Sequence, residues 1–212
     1  MKDLSPLKLN NPVLFCSWQG WPDAAESATK SVEEILSLLE VIHSIEMESD
    51  SYYIYSDKRP TVTNIKENLR HIDWLENKFS FVKRKNSKND IVIFEGIEPD
   101  MDWKNYVKEF LSVIEFYEIK TIIMVGALLD SVPHTREPRI SFTGTGKKNN
   151  SLLIKTNNIN DNKVNLSFER LFGKLINNQE NMAKIVSSQQ GGRMIQKAAK
   201  GIVSSIFLPI GF

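Results

Sequence analysis

The sequence predicts an α/β protein, a three-layer α/β/α sandwich in which a mostly parallel sheet carries helices on both faces. Two observations lead to this prediction. Three short apolar runs, each long enough for one buried strand, are each followed by a polar loop that contains glycine. The first two of these loops lead into segments with helical periodicity, which is the strand–loop–helix order of a parallel sheet.

The first strand, loop and helix are predicted within residues 12–42. Residues 12–17 form an apolar run, residues 18–23 are turn-rich, and residues 24–42 have the apolar stripe of a helix. Asp23 is expected to cap this helix, with Glu26 as the partner of a capping box, because the two acidic residues are three positions apart.

Further strands are expected in the middle of the chain. Residues 45–47 and 52–55 are predicted as short strands that precede a break at Arg59-Pro60-Thr61. Residues 79–82 form another strand, and residues 91–94 form one whose composition indicates burial on both faces.

The second and third loops follow. Residues 96–100 are predicted as a strand-end loop, and residues 103–117 as an amphipathic helix. This helix leads into the buried strand 120–125, which is expected to end at Gly126 and to open onto the loop 126–136. An α/β domain over residues 1–146 accounts for all of these elements.

The composition changes after this domain. Seven asparagines fall within residues 149–165, and an apolar stripe with helical spacing returns near residues 194–207. We therefore expect residues 147–212 to form an atypical C-terminal region, an Asn-rich linker with helices. Its composition is compatible with a divergent ending and with a truncated or frameshifted gene.

Composition also limits the function. The formal net charge of +1 gives no electrostatic reason to expect nucleic acid as a partner. One cysteine, Cys16, cannot form an internal disulfide or a thiolate metal site. No apolar run reaches the length that spans a bilayer, and the first residues do not resemble a signal peptide. The sequence therefore predicts a cytoplasmic protein that binds neither nucleic acid nor membrane.

A candidate crevice lies where the three loops are expected to meet. Loops that follow the carboxyl ends of parallel strands converge on one edge of the sheet, so residues distant in sequence can share a site there. The candidate residues are Trp18, Gly20, Trp21, Asp23, Glu98, His134 and Arg136.

Each candidate has a chemical and a structural interpretation. His134 and Arg136 could act as an acid–base group and an anion clamp, or they could hydrogen-bond within their own loop. Trp18 and Trp21 could form an aromatic wall for a base or for the side chain of a partner, or they could cover the sheet edge. Neither a nucleophile elbow, a phosphate loop nor a set of metal ligands accompanies them, so no cofactor and no metal are expected.

Several motifs, taken in order over roughly residues 10–146, resemble the proteasome assembly chaperone two family. The motifs are Asn11-Pro-Val-Leu14, Trp18-Gln-Gly-Trp-Pro-Asp-Ala-Ala25, Arg59-Pro60-Thr61, Gly96-Ile-Glu-Pro99, Gly126-Ala-Leu-Leu129, Val132-Pro-His-Thr-Arg136 and Thr143-Gly-Thr145. The resemblance implies a fold like that of nucleoside phosphorylases and an oligomeric state. Some members of the family carry a carboxylate-amine ligase label.

Two functions follow from these observations. We expect a non-enzymatic, self-associating protein that acts through protein surfaces, with itself and with another protein as partners, because the candidate crevice lacks a complete catalytic set. The alternative is an enzyme or binding protein for a nucleoside-like or carboxylate small molecule, held in the crevice at the carboxyl ends of the strands.

Overall fold

A computed structural model describes residues 4–66, 69–85, 87–129, 140–144 and 181–189. The elements in these residues are, in chain order, β1 (Val13–Gln19), α1 (Ser27–Ser37), β2 (His43–Glu46), β3 (Thr61–Lys66), β4 (Leu69–Asp73), β5 (Lys78–Val82), β6 (Ile91–Ile97), α2 (Trp103–Phe116), β7 (Thr121–Leu129), β8 (Ile140–Gly144) and β9 (Asn181–Gln189). A single 3-10 turn, Ala24–Glu26, precedes α1. The predicted helix near residues 194–207 lies outside the described residues.

The central sheet has seven described strands in the order β2-β5-β6-β1-β7-β9-β8. Strands β6, β1, β7 and β9 run parallel, whereas β5 is antiparallel to its neighbours β2 and β6, and β8 is antiparallel to β9. The mostly parallel sheet predicted from the sequence is therefore confirmed. Strands β3 and β4 form a separate antiparallel pair.

The two helices pack on opposite faces of this sheet, as a three-layer sandwich requires. Alternate residues of a strand face opposite sides. Val13 and Phe15 of β1 therefore pack with α1, while Leu14 and Cys16 pack with α2. The α1 side is aliphatic apart from Phe15, whereas the α2 side contains the aromatic cluster of Trp18, Phe79, Phe94 and Phe110.

Helix α1 is shorter than the sequence predicted. Ala25 and Glu26 have φ values of 55° and 56°, so the chain enters the helix through two left-handed residues and the helix begins only at Ser27. At the other end, the N–H of Ile42 donates to the carbonyl of Phe81 at 2.9 Å, which draws the chain into the sheet before β2.

The predicted strand at residues 52–55 is wrong. Tyr52 and Tyr53 are neighbours and both are buried, which a strand with alternating faces does not permit at a one-sided surface. The segment is a turn, in which the N–H of Tyr52 donates to the carbonyl of Ser49 at 3.0 Å. The two aromatic side chains enter the α2-side core from this turn.

Strand β7 is longer than predicted and does not end at Gly126. It continues to Leu129, because the N–H of Ala127 binds the carbonyl of Pro22 and because β9 pairs with β7 as far as Leu129. The partner strand β9, Asn181–Gln189, comes from the region beyond residue 146 and belongs to the same sheet. The domain boundary at residue 146 stays a prediction.

Candidate functional site

The carboxyl ends of β6, β1 and β7 lie side by side at one edge of the sheet. The first two loops contact each other there, since the N–H of Glu98 donates to the carbonyl of Gln19 at 2.8 Å. The first loop also reaches the end of β7, where Asp23 forms a bridge with Ala127. These contacts bring the first two loops and the end of β7 together, whereas His134 and Arg136 lie outside the described residues.

Asp23 is buried, and its carboxylate caps the start of α1. Its Oδ1 accepts a hydrogen bond from the N–H of Ala28 at 2.6 Å, and its Oδ2 accepts bonds from the N–H and the hydroxyl of Thr29 at 3.1 and 2.5 Å. The predicted capping role is confirmed, although it is exercised across the 3-10 turn. Burial raises the pKa of Asp23, and the three hydrogen bonds offset only part of this shift.

Glu26 is not the second half of a capping box. Its carboxylate extends outward to the Nζ of Lys30, 2.9 Å away, and both side chains are well exposed. The left-handed backbone of Glu26 turns its side chain away from the start of the helix. The predicted pairing of Asp23 and Glu26 is therefore wrong, while the part assigned to Asp23 stands.

The two tryptophans of the first loop have different environments. Trp18 still belongs to β1 and is buried on the α2 side, where its Nε1 donates to the hydroxyl of Tyr106 at 3.0 Å. Trp21 lies beyond the strand and leaves 62% of its surface exposed. They do not form one aromatic wall, because one is a core residue and the other faces solvent.

Gly20 and Glu98 hold the first two loops together. Gly20 has a φ of +128°, and a Cβ there would lie 3.0 Å from both the Cβ and the Oε2 of Glu98. The same Oε2 accepts a hydrogen bond from the N–H of Trp21 at 3.1 Å. Glycine is therefore required for the close approach, and the carboxylate of Glu98 is engaged by the backbone of the first loop.

A second group of polar residues beside Glu98 was missed by the sequence reasoning. Lys58 donates through Nζ to the carbonyl of Glu98 at 2.5 Å and to Oδ1 of Asp100 at 2.7 Å. Burial by itself raises the pKa of Asp100, but the N–H of Ile54 and the ammonium of Lys58 hold this pKa below its ordinary value. The only available signal was the position of Lys58 next to the Arg59-Pro60-Thr61 motif.

A buried polar network beneath this edge was also missed. Asn77, which is fully buried, accepts hydrogen bonds on Oδ1 from the hydroxyl of Tyr106 at 2.8 Å and the N–H of Ile97 at 3.0 Å. Its Nδ2 donates to the hydroxyl of Tyr53 at 2.8 Å. This network connects α2, the end of β6 and the turn before β3, so it fixes the base of the candidate site.

Chemically, the side chains of three described members of the candidate site are engaged in structural contacts. Asp23, Trp18 and Glu98 bind backbone or core groups as given above. Cys16 is buried, and its Sγ lies 3.6 Å from the carbonyl of Ile123. In the part of the chain that the structure describes, no group of three or more His, Cys, Asp or Glu residues is arranged to hold a metal ion.

Neither described helix has both the length and the apolar character needed to cross a membrane. The longer of the two, α2, has 14 residues and places buried and exposed residues on opposite sides, as expected for a helix packed on one face of a sheet.

With this geometry in place, comparison with known proteins identifies the family. The model of the PAC2 family matches residues 17–176, so the chain belongs to the PAC2 family. The resemblance predicted from the sequence is therefore confirmed, and the match extends past residue 146. No curated protein matches the chain at a significant level.

Solved structures share the fold. The proteasome-assembly chaperone homologue Rv2125 of Mycobacterium tuberculosis is 20% identical, with a TM-score of 0.81 over 94% of this chain and 86% of that one. A PAC2 family protein of Streptomyces avermitilis is 22% identical, with a TM-score of 0.77 over 92% and 84%. PbaB of Pyrococcus furiosus, an archaeal proteasome activator, is 15% identical, with a TM-score of 0.71 over 98% and 87%. None of these comparisons supports the carboxylate-amine ligase label.

Proposed function

We propose that this protein is a non-enzymatic, self-associating member of its family that acts through protein-binding surfaces, as an assembly chaperone does. One observation carries the proposal. At the edge of the sheet where an α/β enzyme places its reacting groups, the described polar side chains hold the loops together, while an aromatic side chain is left exposed.

The first part of this observation concerns the polar groups. A binding crevice needs polar side chains that are free to meet a ligand. The carboxylate of Asp23 faces the start of α1, and that of Glu98 faces the N–H of Trp21. Asp100 is paired with Lys58. A ligand that used any of these three carboxylates would have to displace an internal hydrogen bond or ion pair.

The second part concerns the exposed apolar groups. Trp21 is 62% exposed and Leu129, at the end of β7, is 79% exposed. The hydrogen bond between Pro22 and Ala127 places both side chains at the same edge. Exposed tryptophan is typical of the centres of protein interfaces, because it buries a large area on contact. This edge therefore suits contact with another protein.

The names of the structural relatives agree with this proposal. The printed descriptions of two of them are a proteasome-assembly chaperone homologue and an archaeal proteasome activator. By analogy we expect this chain to associate with itself and with a further protein in the cytoplasm. Its partner belongs to the class of assembling protein subunits.

The test measures both associations. Light scattering of the purified chain should give a mass that is a multiple of the 24.3 kDa protomer. A protein captured from the source cells, once identified and purified, should bind Trp21→Ala about tenfold more weakly or worse, which is a modest loss for a central tryptophan. Leu38→Ala is the control, because Leu38 is equally exposed, at 66%, at the end of α1.

Two outcomes would contradict the proposal. A chain that stays monomeric at all concentrations and captures no protein has none of the proposed associations. The other outcome is a rise in melting temperature with nucleosides, phosphate or ATP that disappears in His134→Ala. It would favour the alternative function, an enzyme or binding protein for a small molecule.

A further inference from the structure

The antiparallel pair β3–β4 stands apart from the rest of the described molecule. It forms a two-stranded sheet that shares no strand with the central sheet. Every residue of β4 is exposed except Asp73, which is half-buried, and residues 61–64 of β3 are exposed as well. A two-stranded sheet with no core beneath it is marginally stable in water, so this pair needs a further contact to be a lasting part of the protein.

The side chains of this hairpin are unusually apolar for an exposed element. Val62 and Ile72 lie directly opposite each other across the two strands, with 58% and 47% of their surfaces exposed. Leu69 is 57% exposed, and Trp74, immediately after β4, is 55% exposed. Such a concentration of exposed apolar residues marks a surface that is covered in use.

Of the two outer edges, that of β4 is better suited to pair with another strand. Strand β3 follows Pro60, and its register with β4 is interrupted between Asn64 and Lys66. A neighbouring proline and a bulge both protect an edge against further pairing. Strand β4 has neither feature, and no described strand pairs with its outer edge.

We infer that the outer edge of β4 pairs with the β4 edge of a second copy of this chain, antiparallel about a two-fold axis at Ile72. This inference rests on the proposed self-association and assigns a surface to it. A two-fold axis normal to a sheet pairs even-numbered residues with even-numbered ones and odd with odd, because only then do opposed side chains of the two copies lie on the same face. The axis therefore lies midway between the two copies of one residue, which oppose each other directly.

The sequence of β4 is self-complementary in this register. Ile72 meets Ile72 of the second copy, His71 meets Asp73, and Arg70 meets Trp74. These are an apolar pair, a pair of an imidazole with a carboxylate, and a guanidinium over an indole ring, all of which stabilise cross-strand contacts. A two-fold axis at His71 would instead oppose Leu69 to Asp73 and Arg70 to Ile72, which matches neither charge nor polarity.

The geometry within one copy agrees with this arrangement. Nε2 of His71 lies 3.7 Å from Oδ1 of Asp73, so these two side chains share a face and can exchange partners across the axis. The indole of Trp74 is held by the ring of Tyr55, with 5.7 Å between centroids in an edge-to-face contact. Trp74 is therefore positioned before the second copy binds.

Cross-linking tests the position of the axis. Directly opposed residues of antiparallel strands bring their Cβ atoms close enough for a disulfide, so Ile72→Cys should give a covalent dimer on mild oxidation. The native Cys16 is buried and contributes little background. Ile42→Cys is the matched control, because Ile42 is exposed to 46% and Ile72 to 47%.

A charge exchange tests the register. Asp73→Lys should weaken dimerisation about tenfold or more, because the imidazole of each His71 loses the carboxylate opposite it and meets an ammonium that cannot accept a hydrogen bond. The double variant His71→Glu with Asp73→Lys places opposite charges across from each other and should recover most of the affinity. Concentration-dependent light scattering or sedimentation gives both values.

The outcomes separate the two proposals. A wild-type chain that is monomeric at every concentration overturns the self-association, and this inference with it. A wild-type oligomer that is unaffected by Asp73→Lys, and in which Ile72→Cys cross-links no faster than Ile42→Cys, overturns the β4 interface alone.

Discussion

The β1–α1 and β6–α2 units follow the same plan but use their acidic residues in opposite ways. In both units a parallel strand passes through a short loop into a helix. The residue immediately before the helix is left-handed in both, Glu26 with a φ of 56° and Asp102 with a φ of 50°. In the first unit the carboxylate of Asp23 is buried against the helix. In the second unit Asp102 is exposed, and its carboxylate makes no hydrogen bond to the backbone at the start of the helix.

This difference shows that an acidic residue at the end of a parallel strand is not by itself a chemical group available to a ligand. The carboxylate of Asp23 replaces the missing partners of two backbone N–H groups of α1. The carboxylate of Asp102 accepts one side-chain hydrogen bond, from Nδ2 of Asn105 at 2.7 Å, at an exposed position. The same substitution in the two loops should therefore have unequal effects.

The largest effect is expected for Asp23→Asn compared with Asp102→Asn. The amide at residue 23 would present a donor to the N–H of Ala28, so the free energy of unfolding should fall by about 2 kcal/mol. At residue 102 the amide tolerates the left-handed backbone, and the free energy should change by less than about 0.5 kcal/mol. Urea denaturation of both variants measures the difference, and equal losses would contradict the contrast between the loops.

A smaller fall in the free energy of unfolding is expected for Tyr106→Phe, which removes a hydroxyl that connects the two units. It accepts from Nε1 of Trp18 on β1 and donates to Asn77. Removing it leaves the buried indole N–H without this partner, so we expect a loss of about 1.5 kcal/mol. Tyr55→Phe is the control, since that hydroxyl binds Asp50 at an exposed position. Thermal denaturation of the two variants should separate them clearly.

Gly20→Ala should lower the free energy of unfolding, measured by urea denaturation, by about 1 kcal/mol. Part of this loss comes from the unfavourable φ and part from the contact with Glu98. Only the second part can be relieved. Glu98→Ala removes the contact with Oε2 but keeps the contact with the Cβ of residue 98, so the double variant Gly20→Ala with Glu98→Ala should recover some of the loss but not all of it. Complete recovery would mean that the backbone of the first loop relaxes without strain, and no recovery would mean that the carboxylate of Glu98 does not limit the approach of the loops.

The smallest effect concerns the pH dependence contributed by Asp23. Burial raises its pKa in the folded protein, so the folded state binds more protons than the unfolded state between the ordinary and the raised pKa. The stability of the wild type should therefore fall, relative to Asp23→Asn, as the pH rises through this interval. Urea denaturation in steps from pH 3 to pH 7, roughly spanning the ordinary carboxyl range, measures it. A relative gain in stability with rising pH would contradict the sign.

Much of the fold could be predicted because several segments have an unambiguous apolar pattern. Strand β6 and helix α2 were predicted to within three residues, since an apolar run fully buried on both faces and an amphipathic stripe each have one interpretation. The pair β3–β4 was not predicted. Its described side chains form no buried face, so the sequence lacks the alternating apolar pattern by which strands are recognised.

The site could be predicted only in its location. The meeting of the first two loops follows from parallel strands that end at one edge. The opposite environments of Trp18 and Trp21 depend on β1 continuing to Gln19, because that places Trp18 on the α2 face. Asn77 was not recognised, because a lone asparagine carries no sign of its burial in the sequence.

The position of β9 has a consequence for synthesis of the chain on the ribosome. Strand β8 is made well before β9, yet in the described sheet β9 lies between β7 and β8. Until Asn181–Gln189 has emerged, β8 lacks its one neighbour among the described strands, and the edge of β7 that pairs with β9 is open. This half of the sheet can therefore close only after β9 has been made, and nascent chains that stall before β9 are the ones most exposed to aggregation.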